Sequence, residues 1–216
     1  MHKNKKNLSK KILTWYDNNK RTLPWRISHT FKKKQYYRIL SEFMLQQTQV
    51  KTVIPYFHSF VKKIPSLKAL SNSNEKTVLK LWEGLGYYNR AKNLHKTSKI
   101  LIKKYKGQIP ESFVKLIKLP GIGTYTANIL LALIYNQPRV ALDGNVKRVL
   151  SRLFNITTID KVNLFRTKRY GDLAEALMEF GALICKAKEP RCYECKIKKI
   201  TRNRRLHRQH TFGSNL

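Results

Sequence analysis

The chain has 216 residues, enough for one or two domains with a real hydrophobic core. Hydrophobic residues make up 42% of it, which excludes a wholly disordered protein. Its 45 lysines and arginines stand against 12 aspartates and glutamates, and the formal charge of +33 indicates a polyanionic partner. A lysine-rich bias of the whole proteome is the alternative explanation. No apolar run approaches the ~20 residues that cross a bilayer, and no secretory signal is recognisable, so we expect a cytoplasmic protein.

Helical spacing of apolar residues recurs along the chain, and alternating strand patterns are scarce. The helical segments are 51–64, 75–85, 90–105, 111–119 and 126–135. Short turn signals rich in proline, glycine, serine and asparagine separate them, at 64–66, 71–74, 84–86, 109–110 and 119–123. There is no internal repeat and no long linker. The sequence therefore predicts an all-α fold.

One turn differs from the others, because two glycines stand between two helical segments. Residues 111–119 and 124–135 flank Gly121 and Gly123 in the sequence PGIG. Glycine allows backbone angles that other residues avoid, and the N–H groups at the start of the second helix favour a phosphate. Many helix pairs need glycine in such a turn for purely structural reasons. With a charge of +33, we interpret the turn as a phosphate contact.

Three further stretches hold polar residues that are candidates either for a functional site or for an ordinary structural role. Glu42 lies among apolar residues, and Tyr87 and Tyr88 follow a glycine turn. Asp143 is placed to cap an amphipathic helix, with Asn145 just inside it. Taken singly, each has an ordinary structural explanation: a surface carboxylate, core packing and a helix cap.

Together these stretches resemble the helix-hairpin-helix family of DNA glycosylases, and within it the adenine glycosylases that remove adenine mispaired with 8-oxoguanine. The matching motifs are LPWR (23–26), SEFMLQQTQVKTVIPYF (41–57), LWEGLGYYNRAKNLH (81–95), LPGIGTYTANILLAL (119–133), LDGNVKRVLSRLF (142–154) and EALMEFGALIC (175–185). The resemblance implies two α-helical lobes. These are a six-helix module over 26–135 containing the hairpin, and a second lobe of 1–25 with 136–200 that carries an iron–sulfur loop. We expect the divergent tail, 201–216, to be disordered.

The resemblance also implies a division of labour in catalysis. A base inside a duplex is out of reach, so a glycosylase extrudes it into a pocket. Glu42 would be the general acid that protonates adenine at N7, for which apolar neighbours keep a carboxyl group partly protonated. Asp143 would stabilise the oxocarbenium-like sugar, in the two-carboxylate manner of glycoside hydrolysis. Asn145 and Tyr125 would orient groups around this pair.

Duplex DNA with a mispaired adenine is the partner that the resemblance implies, bound by a monomer in the bacterial nucleoid. Gln47 would fill the space left by the extruded base, and Tyr87 would insert beside the opposing purine. The other expected DNA contacts are Arg26, Gly121, Gly123 and Thr124.

Tyr125 separates the alternatives within the superfamily. Enzymes similar to endonuclease III carry a lysine at this position, since a Schiff base needs an amine. Tyrosine cannot form one, so the sequence predicts a monofunctional glycosylase and disfavours a glycosylase/lyase. A decayed, non-catalytic DNA-binding homologue is the other alternative.

All three cysteines, Cys185, Cys192 and Cys195, lie within eleven residues. Alone they would fit a fragment of a zinc site; the resemblance implies a [4Fe–4S] cluster, for which the family pattern is Cys-x6-Cys-x2-Cys-x5-Cys. The first three ligands match, but Thr201 stands at the fourth position and supplies no thiolate. His207 or a water is the alternative fourth ligand.

The resemblance ends after residue 200, where a tail with four arginines and no lysine begins. We hypothesise that this tail is read in a shifted frame, which resequencing of the gene would test. We expect the family's further domain, which reads 8-oxoguanine, to be absent, and we therefore expect weakened discrimination for that base. The segment between Phe154 and Glu175 is shorter than in the family, and this affects the packing of the second lobe.

Overall fold

The structure is a computed structural model that describes residues 2–27, 30–154 and 165–197. Within these ranges the chain forms helices and no strand, so the predicted all-α class is confirmed. The helices are α1 (His2–Asn19), a 3-10 turn (Pro24–Arg26), α2 (Phe31–Leu45), α3 (Val50–Lys63), α4 (Leu67–Asn72), α5 (Glu75–Leu81), α6 (Asn89–Tyr105), α7 (Phe113–Leu116), α8 (Thr124–Tyr135), α9 (Gly144–Phe154) and α10 (Tyr170–Leu183). None of the described helices is both long enough and apolar enough to traverse a lipid bilayer.

The chain divides into two compact units. The central unit is Thr22–Tyr135, and the terminal unit combines Met1–Arg21 with the chain from Asn136 onward. The predicted tail at 201–216, which includes Thr201 and His207, lies outside the described residues, as do residues 155–164.

In the central unit, α2 and α8 supply much of the buried core. Every residue of α8 from Thr126 to Ile134 is buried, so this helix is apolar on all sides. Of α2, only one face is apolar in sequence, yet the helix is buried continuously from Arg38 to Met44. Glu42 is therefore enclosed together with the core residues on either side of it.

In the terminal unit, α1 packs on α10 through apolar side chains, and hydrogen bonds join the two segments. Ile12 and Tyr16 are at most 1% exposed, and the Tyr16 hydroxyl donates to Glu175 Oε2 at 2.7 Å. Arg21 forms a two-pronged ion pair with Glu179, at 2.7 and 2.9 Å. The N-terminal helix is thus joined to a partner more than 150 residues away in the chain.

The hairpin differs from its sequence pattern in one respect. Residues 111–119 have helical spacing, but the α-helix covers only Phe113–Leu116. Beyond it, Leu119 N donates to Leu116 O and Ile122 N to Leu119 O, which are the bonds of tight turns. The cause is Pro120, since the residue before a proline avoids the α conformation.

Candidate active site and DNA-contact residues

Glu42 lies in the last turn of α2 and is 8% exposed. Phe43 and Met44 beside it are fully buried. The Glu42 side chain carries the carboxyl group that the family resemblance predicted as the general acid.

Asp143 caps α9, as its position in the sequence predicted. Its Oδ1 accepts from Val146 N at 2.6 Å, and its carbonyl accepts from Lys147 N at 2.9 Å. Oδ2 accepts from Asn145 Nδ2 at 3.4 Å. Asp143 is half-buried; one carboxylate oxygen is bonded to the start of the helix, and the other accepts from the side-chain amide of Asn145.

Asn145 is held from the other side by an arginine of the same helix. Arg148 Nη2 donates to Asn145 Oδ1 at 2.7 Å and to Gly181 O at 2.9 Å. Arg148 Nε also donates to Cys185 O at 2.8 Å. A chain of hydrogen bonds therefore runs from Asp143 through Asn145 and Arg148 to the first cysteine. Arg148 was not singled out from sequence.

The PGIG turn holds α2 and α6 close together. Gly121 has φ of 76°, and a methyl group there would lie 2.6 Å from the Phe43 ring and 2.9 Å from Asn93 Cβ. Its carbonyl accepts from Gln46 Nε2 at 3.2 Å. Gly121 thus has a structural requirement of its own, whereas a methyl group on Gly123 would meet nothing within 4 Å.

The remaining predicted residues of the central unit lie on exposed or half-buried positions. Gly123 and Thr124 are exposed at the start of α8, where the first N–H groups of a helix have no intrahelical acceptor. Tyr125 is half-buried one residue further on, and Arg26 is half-buried at the end of the 3-10 turn.

Two loops of the central unit carry exposed residues in the left-handed region. Gln47 has φ of 57° and Tyr87 has φ of 49°. The Tyr87 side chain is 63% exposed. Such conformations cost free energy in a non-glycine residue and are typical of functional sites. With four neighbours they line a cavity of about 370 Å³; the lining residues are Gln46, Gln47, Tyr87, Tyr88, Asn89 and Arg90.

Arg90 is a second residue, after Arg148, that sequence patterns did not reveal. It is 7% exposed, and its guanidinium donates to carbonyls of both loops. A signal was present, because Arg90 starts the buried stripe of α6 that continues with Leu94 and Leu101. A charged residue at the head of an apolar stripe needs internal partners.

The cysteine loop is fastened to α9 by a second arginine. Arg152 Nη1 donates to Lys186 O at 2.5 Å, Nη2 to Ala187 O at 3.1 Å, and Nη1 lies 3.9 Å from Cys185 Sγ. Burial raises the pKa of the Cys185 thiol, and the hydrogen bond from Arg152 opposes that shift. Cys192 and Cys195 are half-buried.

The donor set of this loop does not fit a four-thiolate cluster. Within the described ranges, no three His, Cys, Asp or Glu side chains are grouped so that they could hold a metal ion. Three cysteines are all that the chain has, and the fourth position of the spacing is Thr201.

Residues 40–170, more than half of the chain, match the HhH-GPD superfamily of base excision DNA repair proteins. The chain belongs to this superfamily, and the predicted family is confirmed.

Among curated relatives, the adenine DNA glycosylase of Buchnera aphidicola subsp. Baizongia pistaciae is 44% identical over 87% of this chain and 55% of its own length. The human adenine DNA glycosylase is 35% identical over 89% of this chain and 38% of its own length. The chain therefore spans about half, or less, of the curated relatives that it matches.

Two solved structures share the fold. A thermostable thymine-DNA glycosylase aligns with a TM-score of 0.80 at 24% identity, over 93% of this chain and 96% of its own. Endonuclease III in a non-covalent complex with DNA aligns with a TM-score of 0.75 at 20% identity, over 95% and 96%. At these identities the likeness supports the helical architecture alone.

Proposed function

We propose that this protein is a monofunctional base-excision glycosylase that hydrolyses the N-glycosidic bond of adenine mispaired with 8-oxoguanine or guanine. The observation that carries the proposal is the buried carboxyl group of Glu42, enclosed by core residues inside the segment that matches the superfamily. The identity of 35–44% to adenine DNA glycosylases supports adenine as the base.

The reaction needs a proton donor for the adenine and a negative charge near the sugar. Glu42 donates its proton to N7 of adenine, and the bond between C1′ and N9 breaks as the neutral base leaves. Asp143 stabilises the positive charge on the sugar. Water then adds to C1′ and releases its proton to the solvent. The products are adenine and an abasic site. Asn145 supports this role by keeping its amide on Asp143 Oδ2.

Tyr125 supports hydrolysis without strand cleavage. Its hydroxyl cannot form the Schiff base through which lyases act, which requires an amine. Water is then the final nucleophile, and the DNA strand stays intact.

Gln47 and Tyr87 are proposed to enter the duplex, and Arg26, Gly121, Gly123 and Thr124 to contact its backbone. The support is the exposure of Tyr87, the left-handed backbone of both inserting residues and the cavity between their loops. The protein would act as a monomer on duplex DNA in the nucleoid.

Single-turnover excision on a duplex with adenine opposite 8-oxoguanine tests the function. We expect adenine release by the wild type and a loss of about 10³-fold or more in Glu42→Gln, since the amide has no proton to donate. Glu75→Gln, an exposed carboxylate of α5, is the matched control and should retain the wild-type rate.

A wild-type rate no higher than that of Glu42→Gln would contradict the enzyme. If binding to the duplex persisted in that case, the non-catalytic DNA-binding alternative would replace it. Strand cleavage at the rate of base release would instead favour a lyase.

We propose further that the cysteine loop holds no complete [4Fe–4S] cluster, because position 201 supplies no thiolate. Iron and acid-labile sulfide should be well below four per chain in anaerobically purified protein, and Thr201→Cys should raise both. Four irons per wild-type chain would mean that another ligand, such as His207, completes the cluster.

A further inference from the structure

Arg90 connects two loops that lie about 40 residues apart in sequence. Nη1 reaches the end of α2 and the loop that follows it, and Nη2 reaches the loop before α6. The acceptors of Nη1 are Phe43 O (3.3 Å), Met44 O (2.7 Å), Gln46 O (a short hydrogen bond) and Thr48 Oγ1 (3.0 Å). Those of Nη2 are Leu85 O and Gly86 O, both at 3.0 Å.

The two loops carry the residues proposed to enter DNA. Gln47 directly follows Gln46, and Tyr87 directly follows Gly86, so each inserting residue is adjacent to a carbonyl that accepts from Arg90. The guanidinium also lies 5.3 Å from the centre of the Tyr87 ring. The Trp82 ring centre is 5.5 Å from the guanidinium, and Trp82 Nε1 donates to the same Gly86 carbonyl.

A purely structural role accounts for only half of this arrangement. The carbonyls of Phe43 and Met44 belong to the last turn of α2, where backbone acceptors lack intrahelical donors, and a side chain that satisfies them is an ordinary cap. Capping does not require the bonds to Leu85 and Gly86. Burial lowers the pKa of Arg90, and its Nε is buried with no acceptor among the described residues.

Only a planar guanidinium can serve both loops at once. Its donors diverge in a rigid fork, so the separation of the two sets of carbonyls is set by the group itself. A lysine ammonium keeps the charge but presents its donors from one nitrogen atom. Lysine at this position would therefore satisfy one loop and release the other.

We propose that Arg90 is a positioning residue that holds the Gln47 loop and the Tyr87 loop at a fixed separation, so that both side chains enter the duplex together. The inference rests on the proposed function for the identity of the ligand, DNA. We expect loss of the Arg90 hydrogen bonds to impair base extrusion more than DNA binding, because phosphate contacts elsewhere supply most of the affinity.

The test uses a duplex with 2-aminopurine in place of the target adenine, opposite 8-oxoguanine. Its fluorescence rises when the base leaves the stack, and no chemistry is needed. For Arg90→Lys we expect affinity within about threefold of wild type but a loss of about fivefold or more in the fluorescence rise at saturating protein, since misplacement by ~1 Å is costly. The single-turnover excision rate should fall with it.

A double-mutant cycle separates positioning from a general defect. In a Tyr87→Ala background, Arg90→Lys should lower extrusion by less than half the factor seen in the wild-type background, because part of what it positions is gone. An equal factor in both backgrounds, or an unchanged fluorescence rise in Arg90→Lys alone, would overturn the inference.

A second variant serves if Arg90→Lys does not fold. Thr48→Val removes one acceptor beside Gln47 and leaves the arginine in place. We expect a smaller loss of extrusion with unchanged affinity, and no loss would again contradict the positioning role of Arg90. If the wild type extrudes 2-aminopurine but releases no adenine, the proposed function fails while the role of Arg90 is still measured.

Discussion

His95 is a buried histidine of α6 whose protonation the fold resists. It is 1% exposed, and its Nε2 has no hydrogen-bond partner among the described residues. Desolvation lowers the pKa of His95 below 6.5, and the charge of Lys99 lowers it further. A hydrogen bond to the backbone of Ser73 and the charge of Glu75 oppose the shift. The neutral imidazole is therefore the form that the core accepts.

The stability of the protein should depend on pH through this residue. Below pH 6.5, His95 binds a proton in the unfolded chain but stays neutral in the folded protein. The free energy of unfolding therefore falls as the pH drops toward the lower pKa of the folded state. His95→Gln should flatten this part of the profile. Urea unfolding of both proteins at pH 8 and pH 5.5 measures it, and equal losses on acidification would contradict the prediction.

Gly181 is a position where α9 and α10 approach too closely for a side chain. A methyl group there would lie 2.7 Å from Asn145 Cβ and 3.0 Å from Asn145 O. Helix propensity favours alanine by up to about 1 kcal/mol, but the overlap with a backbone atom costs about 1–3 kcal/mol.

Gly181→Ala should therefore destabilise the protein by about 1–2 kcal/mol, and displacement of Asn145 should slow excision. Thermal unfolding and single-turnover rates test both expectations. Gly144→Ala is the matched control for stability, since a methyl group there meets nothing within 4 Å. Equal stability of the two variants would show that α9 can move away without cost.

At the scale of elements, α9 combines a cap at its start with two arginines that fasten the cysteine loop. Arg148 and Arg152 are one turn apart and both donate to carbonyls beyond α10. Here the arginine hydrogen bonds hold Cys185, Lys186 and Ala187 through their main chain.

Arg152→Ala should free this loop while α9 remains folded. We expect tryptic cleavage after Lys186 and Lys188 to accelerate about tenfold, because local opening is what a protease detects. Mass spectrometry of the peptides over time gives the rate. Arg166→Ala, another arginine of the terminal unit, is the control, and equal acceleration in both variants would rule out a specific role for Arg152.

The charge of +33 belongs to the scale of the whole molecule. It predicts that binding to any duplex is dominated by phosphate contacts and the release of counterions. Between 50 and 200 mM salt, affinity should fall by about 10³-fold or more. Fluorescence anisotropy with matched and mismatched duplexes tests this: both should show similar slopes, and a flat response would contradict binding through the backbone.

The superfamily match and the two compact units also belong to this scale. Glu42 lies in the central unit and Asp143 in the terminal unit, so the two proposed catalytic carboxylates are supplied by separate cores.

The local features of this protein were predictable because their causes are local. Apolar spacing predicted α3, α5, α6 and α8. Asp143 was recognised as a cap since the bond it forms reaches only three residues along the chain. The long motifs around Glu42 and Tyr87 were sufficient to predict the family. In the 111–119 segment, the same periodic pattern overestimated the helix because Pro120 ends it early.

Tertiary structure alone decided which arginines matter. Arg90, Arg148 and Arg152 bind backbone carbonyls 33 to 46 residues away, and a carbonyl is present at every position, so no side-chain pattern marks the acceptor. The need for glycine at position 181 likewise arises only when two helices meet. By itself, the sequence determined the all-α class, the family and the candidate site residues. Only the packing of the chain determined which contacts hold those residues in place.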